Sequence, residues 1–221
     1  MSLSKAWSSK EIIKFFKSNR STFNSLYKGE KYLLSKYVDK SCTILDIGCA
    51  QGGMYRILKN KFKNINYTGV DFNRKMITLA KKKYPRTKFH HLSHINYPSF
   101  FKKKFDVVII FGILHLNSNW RHIIKAAYKV ASNYILFDLR CALNLNKLED
   151  LKNYINLDFK NESKKFQIPY IVLEKKSVLK YFRKIFKDCK IDNYNYTGKA
   201  SKYSNIKSKI IFSNYCLKKN A

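Results

Sequence analysis

Paired cysteines are missing from this sequence. Its five cysteines are spread over 221 residues, without a Cys-x-x-C pair or a nearby histidine at metal-ligand spacing. An odd number in this arrangement indicates neither a disulfide framework nor a zinc site. We therefore expect no bound metal and a reducing compartment, the cytoplasm, as the location.

Long apolar runs are absent as well. No run approaches the roughly 20 residues of a membrane helix, and the first residues, Met-Ser-Leu-Ser-Lys-Ala-Trp, lack the apolar core of a signal peptide. Apolar residues still make up 45% of the chain and aromatic residues 15%. This content is typical of a globular protein. The composition predicts a soluble chain that does not enter a membrane, with one core-forming domain.

Acidic residues and arginine are scarce. The chain has 14 acidic and 45 basic residues, a formal net charge of +31, and only seven of the basic residues are arginine. A basic surface attracts phosphate, but arginine is the residue that makes bidentate phosphate and guanine contacts. Lysine, asparagine, isoleucine, tyrosine and phenylalanine are abundant together, as an AT-rich coding sequence would also produce. The charge leaves nucleic acid as an alternative partner, with composition bias as the competing explanation.

Short apolar segments alternate with amphipathic ones through the middle of the chain. Such alternation predicts a parallel sheet covered by helices on both faces. Right-handed crossovers then bring the carboxyl ends of the strands to one edge. The expected strands are 42–48, 66–71, 88–92, 105–111 and 134–138, and the expected helices are 53–62, 74–83 and 120–130.

The two ends of the chain differ from this middle part. Apolar residues at helical spacing over 9–37 predict two or three helices, so that 1–40 forms a helical cap on a domain of residues 41–221. The stretch 141–176 is polar and interrupted, which suggests an insertion or lid, with helical spacing only around 148–155. A helix at 177–186 and two strands at 189–196 and 209–217 complete the prediction. The fold class is therefore α/β, a Rossmann-like doubly wound, mostly parallel sheet with an antiparallel C-terminal hairpin.

A glycine-rich turn follows the first expected strand. The segment Leu45-Asp-Ile-Gly-Cys-Ala-Gln-Gly-Gly53 allows a ligand close to the backbone. A phosphate loop of the Walker type is disfavoured because Met54 and Tyr55 stand where Lys and Ser/Thr are needed. A degenerate dinucleotide loop is compatible with the glycines. Asp46, however, would repel a pyrophosphate and favour the cationic amino and sulfonium groups of S-adenosylmethionine.

A second carboxylate supports the same ligand. Asp71 ends the second expected strand, 19 residues after Gly52. An acidic residue at this distance accepts hydrogen bonds from the ribose hydroxyls of an adenosyl group.

With these residues in view, Leu-Asp-Ile-Gly-Cys-Ala-Gln-Gly-Gly, Gly-Val-Asp and Phe-Asp-Val-Val-Ile resemble three successive motifs of class I S-adenosylmethionine-dependent methyltransferases. The resemblance covers about residues 30 to 140. It implies that the loop after the first strand surrounds the methionine moiety, that Asp71 binds the ribose, and that Phe72 and Met76 lie near the adenine. The chain departs from the family at Ala50, where glycine is usual, and at Leu92-Ser93, where an Asp is usual. The cofactor-binding residues expected in this way are Asp46, Gly48, Cys49, Ala50, Gly52, Asp71, Phe72, Met76, Leu92, Ser93 and Phe111.

Candidate catalytic residues follow the fourth and fifth expected strands. Methyl transfer needs no dedicated base, because orientation alone can supply roughly 7–11 kcal/mol. A hydroxyl acceptor would still gain from a base. His115 is the first candidate, with a structural role as the alternative. Asp138 is the second, and a salt-bridged structural pair with Arg140 is its alternative.

Three functions are compatible with these residues. The first is a methyltransferase acting on a small molecule or a sugar or glycan precursor, because 1–40 and the segment after Arg140 can enclose the acceptor. The second is an RNA methyltransferase, which predicts a continuous basic stripe beside the pocket. Against it, the chain has neither an Asn-Pro-Pro-Tyr-like motif nor a catalytic Cys motif. The third is a non-catalytic S-adenosylmethionine-binding protein.

Overall fold

The structure is a computed structural model that describes residues 7, 9, 12–14, 21–92, 97–143, 149–150, 152–157 and 166–220. Its helices are α1 (Lys28–Tyr37), α2 (Gly53–Phe62), α3 (Arg74–Lys83), α4 (Tyr97–Phe100), α5 (Trp120–Val130) and α6 (Lys175–Ile185), with a 3₁₀ turn at Leu114–Leu116. Its first five strands are β1 (Thr43–Ile47), β2 (Asn66–Asp71), β3 (Lys88–His91), β4 (Phe105–Ile110) and β5 (Ala131–Ala142). The remaining strands are β6 (Glu149–Asp150), β7 (Tyr154–Leu157), β8 (Phe166–Pro169), β9 (Val172–Glu174), β10 (Cys189–Lys199) and β11 (Lys209–Lys219).

Seven strands form the backbone of the main sheet, in the order β10-β11-β5-β4-β1-β2-β3. The five strands from β1 to β5 are parallel. Strand β11 pairs antiparallel with β5 and with β10. Short strands β6 and β9 extend the sheet at the end of β5, and β7 and β8 form a separate antiparallel pair. The predicted Rossmann-like sheet with an antiparallel C-terminal hairpin is confirmed.

Apolar side chains cover both faces of this sheet. On one face, Trp120 and Ile123 of α5 and Phe182 of α6 pack against the central strands. On the other, Leu33 and Leu34 of α1 pack in one cluster with α2 and α3. Because successive side chains of a strand point to opposite faces, β1 divides its residues between these two clusters. The doubly wound arrangement follows from this division.

The stretch 148–155 was expected to be helical, and this expectation is wrong for its described residues. Strand β6 pairs with β9, and β7 pairs with β8. Ile155 is buried in a small cluster with Tyr170 and Val172. Short apolar segments do not distinguish a helix from a strand by their spacing, and here the pairing partners decide. The domain bounds at 40 and at 141–176 remain predictions.

The carboxyl ends of β1, β2, β3, β4 and β5 meet at one edge of the sheet, as parallel pairing requires. The loops that leave this edge contain the glycine-rich turn and the 3₁₀ turn. Among the described residues, no helix has the length and apolar character needed to cross a membrane.

Candidate functional site

The turn between β1 and α2 has left-handed backbone conformations at three positions. Gly48 has φ +81°, Ala50 φ +46° and Gly52 φ +77°. The N–H groups of Gly48 and Cys49 both donate to the carbonyl of Val70, at 2.9 and 3.1 Å. These two hydrogen bonds anchor the turn to β2. The left-handed backbone at Gly48 and Gly52 explains why glycine stands at these two positions.

Space around the turn is tight on one side and open on the other. A Cβ on Gly48 would lie 2.9 Å from Ile113, and one on Gly52 would lie 2.9 Å from the ring of Phe89. A Cβ on Gly53, the first residue of α2, would meet nothing within 4 Å. A helix N-terminus with free space in front of it is suited to a ligand.

Asp71 ends β2 beside this turn. Its Oδ2 accepts a hydrogen bond from the N–H of Ala50 at 3.0 Å, and its Oδ1 accepts one from the N–H of Asn73 at 2.8 Å. Burial raises the pKa of Asp71, and these two hydrogen bonds together with His91 oppose the rise. Each carboxylate oxygen has a second lone pair, so the side chain is held in place and can still accept from a ligand.

Asp46 lies on the neighbouring strand and is also buried. The hydroxyl of Tyr67 donates to its Oδ2. Burial raises the pKa of Cys49, and the negative charges of Asp71 and Asp46 raise it further, so the thiol lies within electrostatic reach of both carboxylates. The two predicted acids thus lie near Cys49, on the neighbouring strands β1 and β2. Tyr67 was not predicted, because a tyrosine in a strand gives no sequence signal of such a role.

Asp46 and Asp71 fit a cationic ligand better than an anion. Two buried carboxylates at one edge produce a negative potential that opposes a diphosphate. No Lys or Arg stands in 48–52 or 111–119, the loops that follow β1 and β4. The residues present therefore fit S-adenosylmethionine, whose sulfonium and amino groups are positive.

The residues expected near the adenine lie in different surroundings. Phe72 is 44% exposed, whereas Met76 is buried against Ile12. The amide of Gln51 donates to the carbonyl of Ile13 at 2.8 Å, which ties the N-terminal part of the chain to the glycine turn. Leu92 is half-buried against the core. Ser93 lies outside the described residues.

Asp138, near the carboxyl end of β5, is part of a buried ion pair. Its Oδ2 lies 2.5 Å from Nη1 of Arg140, and its Oδ1 accepts a hydrogen bond from the N–H of Gly112 at 2.5 Å. Burial alone would lower the pKa of Arg140, but the interactions with Asp138 and Tyr170 together outweigh it and the pKa is raised. Both carboxylate oxygens are therefore engaged, as a positioning role requires, and the carboxylate links the end of β4 to β5. Catalysis by Asp138 remains a prediction.

His115 is buried in the 3₁₀ turn after β4. Its ring meets Tyr170 edge-on with centroids 5.3 Å apart, and its carbonyl accepts a hydrogen bond from the N–H of Ile171 at 2.7 Å. Phe111, just before it, packs into the core. The structure brings His115 to the carboxyl edge of β4, as expected, and adds Tyr170 as a neighbour that the sequence did not indicate.

Aromatic side chains lie beside Arg140 on the hairpin. The guanidinium of Arg140 stacks over the ring of Phe212, 4.2 Å from its centroid. Tyr196 of β10 stacks on Phe212 of β11, with ring centroids 5.0 Å apart. The ring of Tyr27, which is 46% exposed, lies 6.2 Å from that of Phe212, centroid to centroid. Because Tyr27 directly precedes α1, the start of this helix and the hairpin β10–β11 together form a wall beside the carboxyl end of β5. We call these residues, Tyr27, Arg140, Tyr196 and Phe212, the aromatic wall.

Comparisons with known proteins agree with this geometry. Residues 45–133 match a family model described as a methyltransferase domain. A candidate methyltransferase, 235L, of Invertebrate iridescent virus 6 is 26% identical over 155 residues, covering 67% of this chain and 57% of that protein. A protein of Papaver bracteatum named "Probable (S)-tetrahydroprotoberberine N-methyltransferase 2" is 26% identical over 141 residues, covering 60% and 39%. The chain thus spans 57% or less of the length of these two relatives.

Solved structures share the fold. An S-adenosylmethionine-dependent methyltransferase from Clostridium acetobutylicum superimposes with a TM-score of 0.57 at 15% identity, covering 93% of this chain and 92% of that one. The matched methyltransferase domain and the shared fold confirm the resemblance to class I S-adenosylmethionine-dependent methyltransferases.

Proposed function

We propose that this chain is a methyltransferase that binds S-adenosylmethionine at the glycine turn and methylates a small molecule. The observation that carries the proposal is the pair of buried carboxylates beside a left-handed glycine turn, Asp46 in β1 just before it and Asp71 bonded to Ala50 within it. The match of residues 45–133 to a methyltransferase domain supports the same conclusion.

The binding roles follow from the positions of the residues. Asp71, held by two backbone N–H groups, would accept the ribose hydroxyls. Asp46, held by Tyr67, would favour the positive end of the methionine moiety, near the open space at Gly53. Phe72 and Met76 remain the residues proposed to lie near the adenine. When bound, S-adenosylmethionine supplies an electrophilic methyl group on a sulfonium.

The acceptor would lie between the 3₁₀ turn and the aromatic wall. Asp138 bonds both to the N–H of Gly112, just after β4, and to Arg140 of β5. These two hydrogen bonds hold the loop after β4 and the side chain of Arg140 at a fixed distance from each other. The residues need only hold the acceptor in line with the methyl group, because much of the acceleration of such a displacement comes from orientation. His115 is the proposed residue to take a proton if the acceptor is a hydroxyl.

A small-molecule acceptor is favoured over RNA by the walls of this region. Aromatic side chains and a neutralised ion pair suit an apolar or planar acceptor. A basic stripe beside the pocket was the feature predicted for an RNA methyltransferase, and the described loops after β1 and β4 have no Lys or Arg. A sugar or glycan precursor remains the second acceptor class, favoured by the polar groups of Arg140 and Tyr196.

The experiment has two steps. Titration calorimetry of the purified chain with S-adenosylmethionine and with S-adenosylhomocysteine should show binding of both. The protein is then incubated with the methyl donor and separate pools of phenols, amines, sugars and RNA, and S-adenosylhomocysteine release is measured. Release with a small-molecule pool is expected, and a His115→Gln variant should keep cofactor affinity while its turnover falls.

Release with RNA alone would reject the small-molecule proposal. Cofactor binding without turnover in every pool would instead favour a non-catalytic S-adenosylmethionine-binding protein. Absence of cofactor binding would reject the proposed function as a whole.

A further inference from the structure

Many of the basic residues lie away from the proposed methyl-transfer site. The helices run antiparallel to the parallel strands, so their carboxyl ends lie at the sheet edge where β1 to β5 begin, opposite the glycine turn. Basic residues occupy the last turn of five of these helices: Lys36 in α1, Lys59 and Lys61 in α2, Lys81 to Lys83 in α3, Lys129 in α5, and Arg183 and Lys184 in α6.

Six of the seven strands in the main sheet also have an exposed lysine in or beside their end at this same edge. The remaining strand, β5, begins two residues after Lys129, which lies in the last turn of α5. We call these six residues the basic row. They are Lys40, Lys63, Lys88, Lys104, Lys190 and Lys218.

The charge of the basic row is only weakly neutralised. The acidic residues at this edge among the described residues are Asp39, Asp106, Asp188 and Asp192. Asp106 accepts hydrogen bonds from Thr43, and Asp192 is paired with Lys36. Lys219 lies inside the edge, where its ammonium donates to the carbonyls of Tyr128 and Ala131 at 3.2 and 3.0 Å. Burial lowers the pKa of Lys219, and the nearby charge of Lys104 lowers it further.

Two ordinary explanations do not account for the row. Lysines in the last turn of a helix complement the helix dipole, but Lys88, Lys190 and Lys218 belong to strands. Composition bias would raise lysine content everywhere. Lysines also occur at the opposite edge, between β10 and β11, but the loops after β1 and β4 beside the glycine turn contain none.

The shape of the row indicates what it fits. Neighbouring strands are about 4.8 Å apart, so the row extends over about 29 Å, the reach of several nucleotides. The sheet also twists by roughly 20° or more from strand to strand. The charges therefore follow a curved line. A flat anionic membrane meets only part of such a line, and a duplex is stiff over about 150 base pairs. A single strand can follow it.

We infer that the basic row is a docking site for single-stranded nucleic acid, bound through its phosphates and independently of sequence. A row of lysines suits this mode, because each ammonium acts as a point charge on a phosphate. The site lies at the edge opposite the glycine turn. The bound strand is therefore a tether for the protein and not its methyl acceptor.

Two triple variants test this inference at equal net charge. In the first, Lys40, Lys88 and Lys104, three exposed members of the basic row, are changed to glutamine; in the second, Lys199, Lys202 and Lys207, exposed at the opposite edge, are changed to glutamine. Affinity for an unstructured RNA of roughly 20 nucleotides is measured by fluorescence anisotropy between about 50 and 200 mM salt. S-adenosylmethionine binding by calorimetry serves as the folding control for both.

The wild-type chain should bind the RNA with micromolar affinity at low salt. The first variant should bind about 10-fold more weakly, and its salt slope should fall by about 2, since a single strand loses roughly 0.7 per phosphate contact. The second variant should stay within about 3-fold of wild type, and cofactor affinity should be unchanged in both.

Equal losses in the two variants would overturn the inference, since net charge alone would then explain binding. Tighter binding of a duplex than of the single strand, or binding of anionic vesicles but not of RNA, would overturn it too. The outcome is separate from the proposed function, because it is read without methyl transfer.

Discussion

The backbone N–H of Ala50 donates to Oδ2 of Asp71 across 3.0 Å, and this contact joins the glycine turn after β1 to the end of β2. Ala50 itself has φ +46°, a conformation that an L-residue adopts at a cost of roughly 1 kcal/mol. The hydrogen bond to a buried carboxylate offsets that cost. The glycine turn and Asp71, the candidate for ribose binding, therefore hold each other in place.

Replacing Asp71 with alanine should abolish binding of S-adenosylmethionine. The ribose hydroxyls lose their acceptor, and each hydrogen bond to a charged group contributes about 1.5–3 kcal/mol, so affinity should fall at least 100-fold. Calorimetry provides the measurement. Asp188→Ala, at an exposed acid on the opposite edge, is the matched control and should bind normally. Wild-type affinity in a folded Asp71→Ala variant would remove Asp71 from the site.

Replacing Tyr67 with phenylalanine should weaken both the fold and the cofactor site. The variant leaves Asp46 without one of its donors in a buried place, at a cost of about 1–3 kcal/mol. We expect a lower midpoint in urea and weaker S-adenosylmethionine binding. Tyr55→Phe, which keeps the neighbouring ring contact with Tyr67 and changes no bond to Asp46, is the comparison. If both variants behave alike, Tyr67 does not position Asp46.

Gly52 and Gly53 should respond differently to alanine. Gly52→Ala places a Cβ 2.9 Å from Phe89 at φ +77°, and should cost about 1–3 kcal/mol of stability. Gly53→Ala meets nothing within 4 Å and should leave the thermal midpoint unchanged or slightly higher. Its Cβ enters the space proposed for the ligand, so cofactor affinity should fall. Equal affinity of Gly53→Ala and wild type would show that the space is not used.

Asp192 should make stability depend on pH. It joins α1 to the hairpin, because its Oδ2 accepts from Lys36 at 2.7 Å and from Tyr37 at 2.5 Å. Burial would raise the pKa of Asp192, but these bonds outweigh it and the pKa is lowered. The stabilisation is therefore fully present above the unfolded pKa of about 4 and is lost as the pH falls through the folded value.

Asp192→Asn should accordingly lower Tm by a few degrees at pH 7 and by progressively less below about pH 4. Asp188→Asn, at an exposed side chain, is the control. A Tm difference that stays constant from pH 7 to pH 3 would show that the charge of Asp192 does not stabilise the fold.

Much of the sheet was predictable because each strand and helix carries its own pattern. The ranges 53–62, 74–83 and 120–130 agree with α2, α3 and α5 to the residue. Strand β5 is longer than the expected 134–138, since pairing with β11 extends it at its carboxyl end and pairing with β4 extends it at its start. Residues 148–155 were misassigned because a two-residue or four-residue strand is defined by its partner, which local spacing does not reveal.

The candidate site divides in the same way. Asp46, the glycines and Asp71 were found from the order and spacing of the motifs. Tyr67, Tyr170 and Phe212 were not, because each reaches its partner from a different part of the sequence. The salt bridge of Asp138 with Arg140 was named as the alternative to a catalytic role, whereas the bond to Gly112 depends on how β4 lies beside β5.

The sequence by itself determined the alternation of strands and helices, the glycine turn, and the order of the two carboxylates, because backbone preferences and apolar periodicity act over a few residues. Only the tertiary structure decided that Asp71 accepts a hydrogen bond from Ala50 of the turn, that aromatic rings of a distant hairpin border Arg140, and that scattered lysines align along one edge. These relationships arise from strand order and register, which bring together residues from distant parts of the chain.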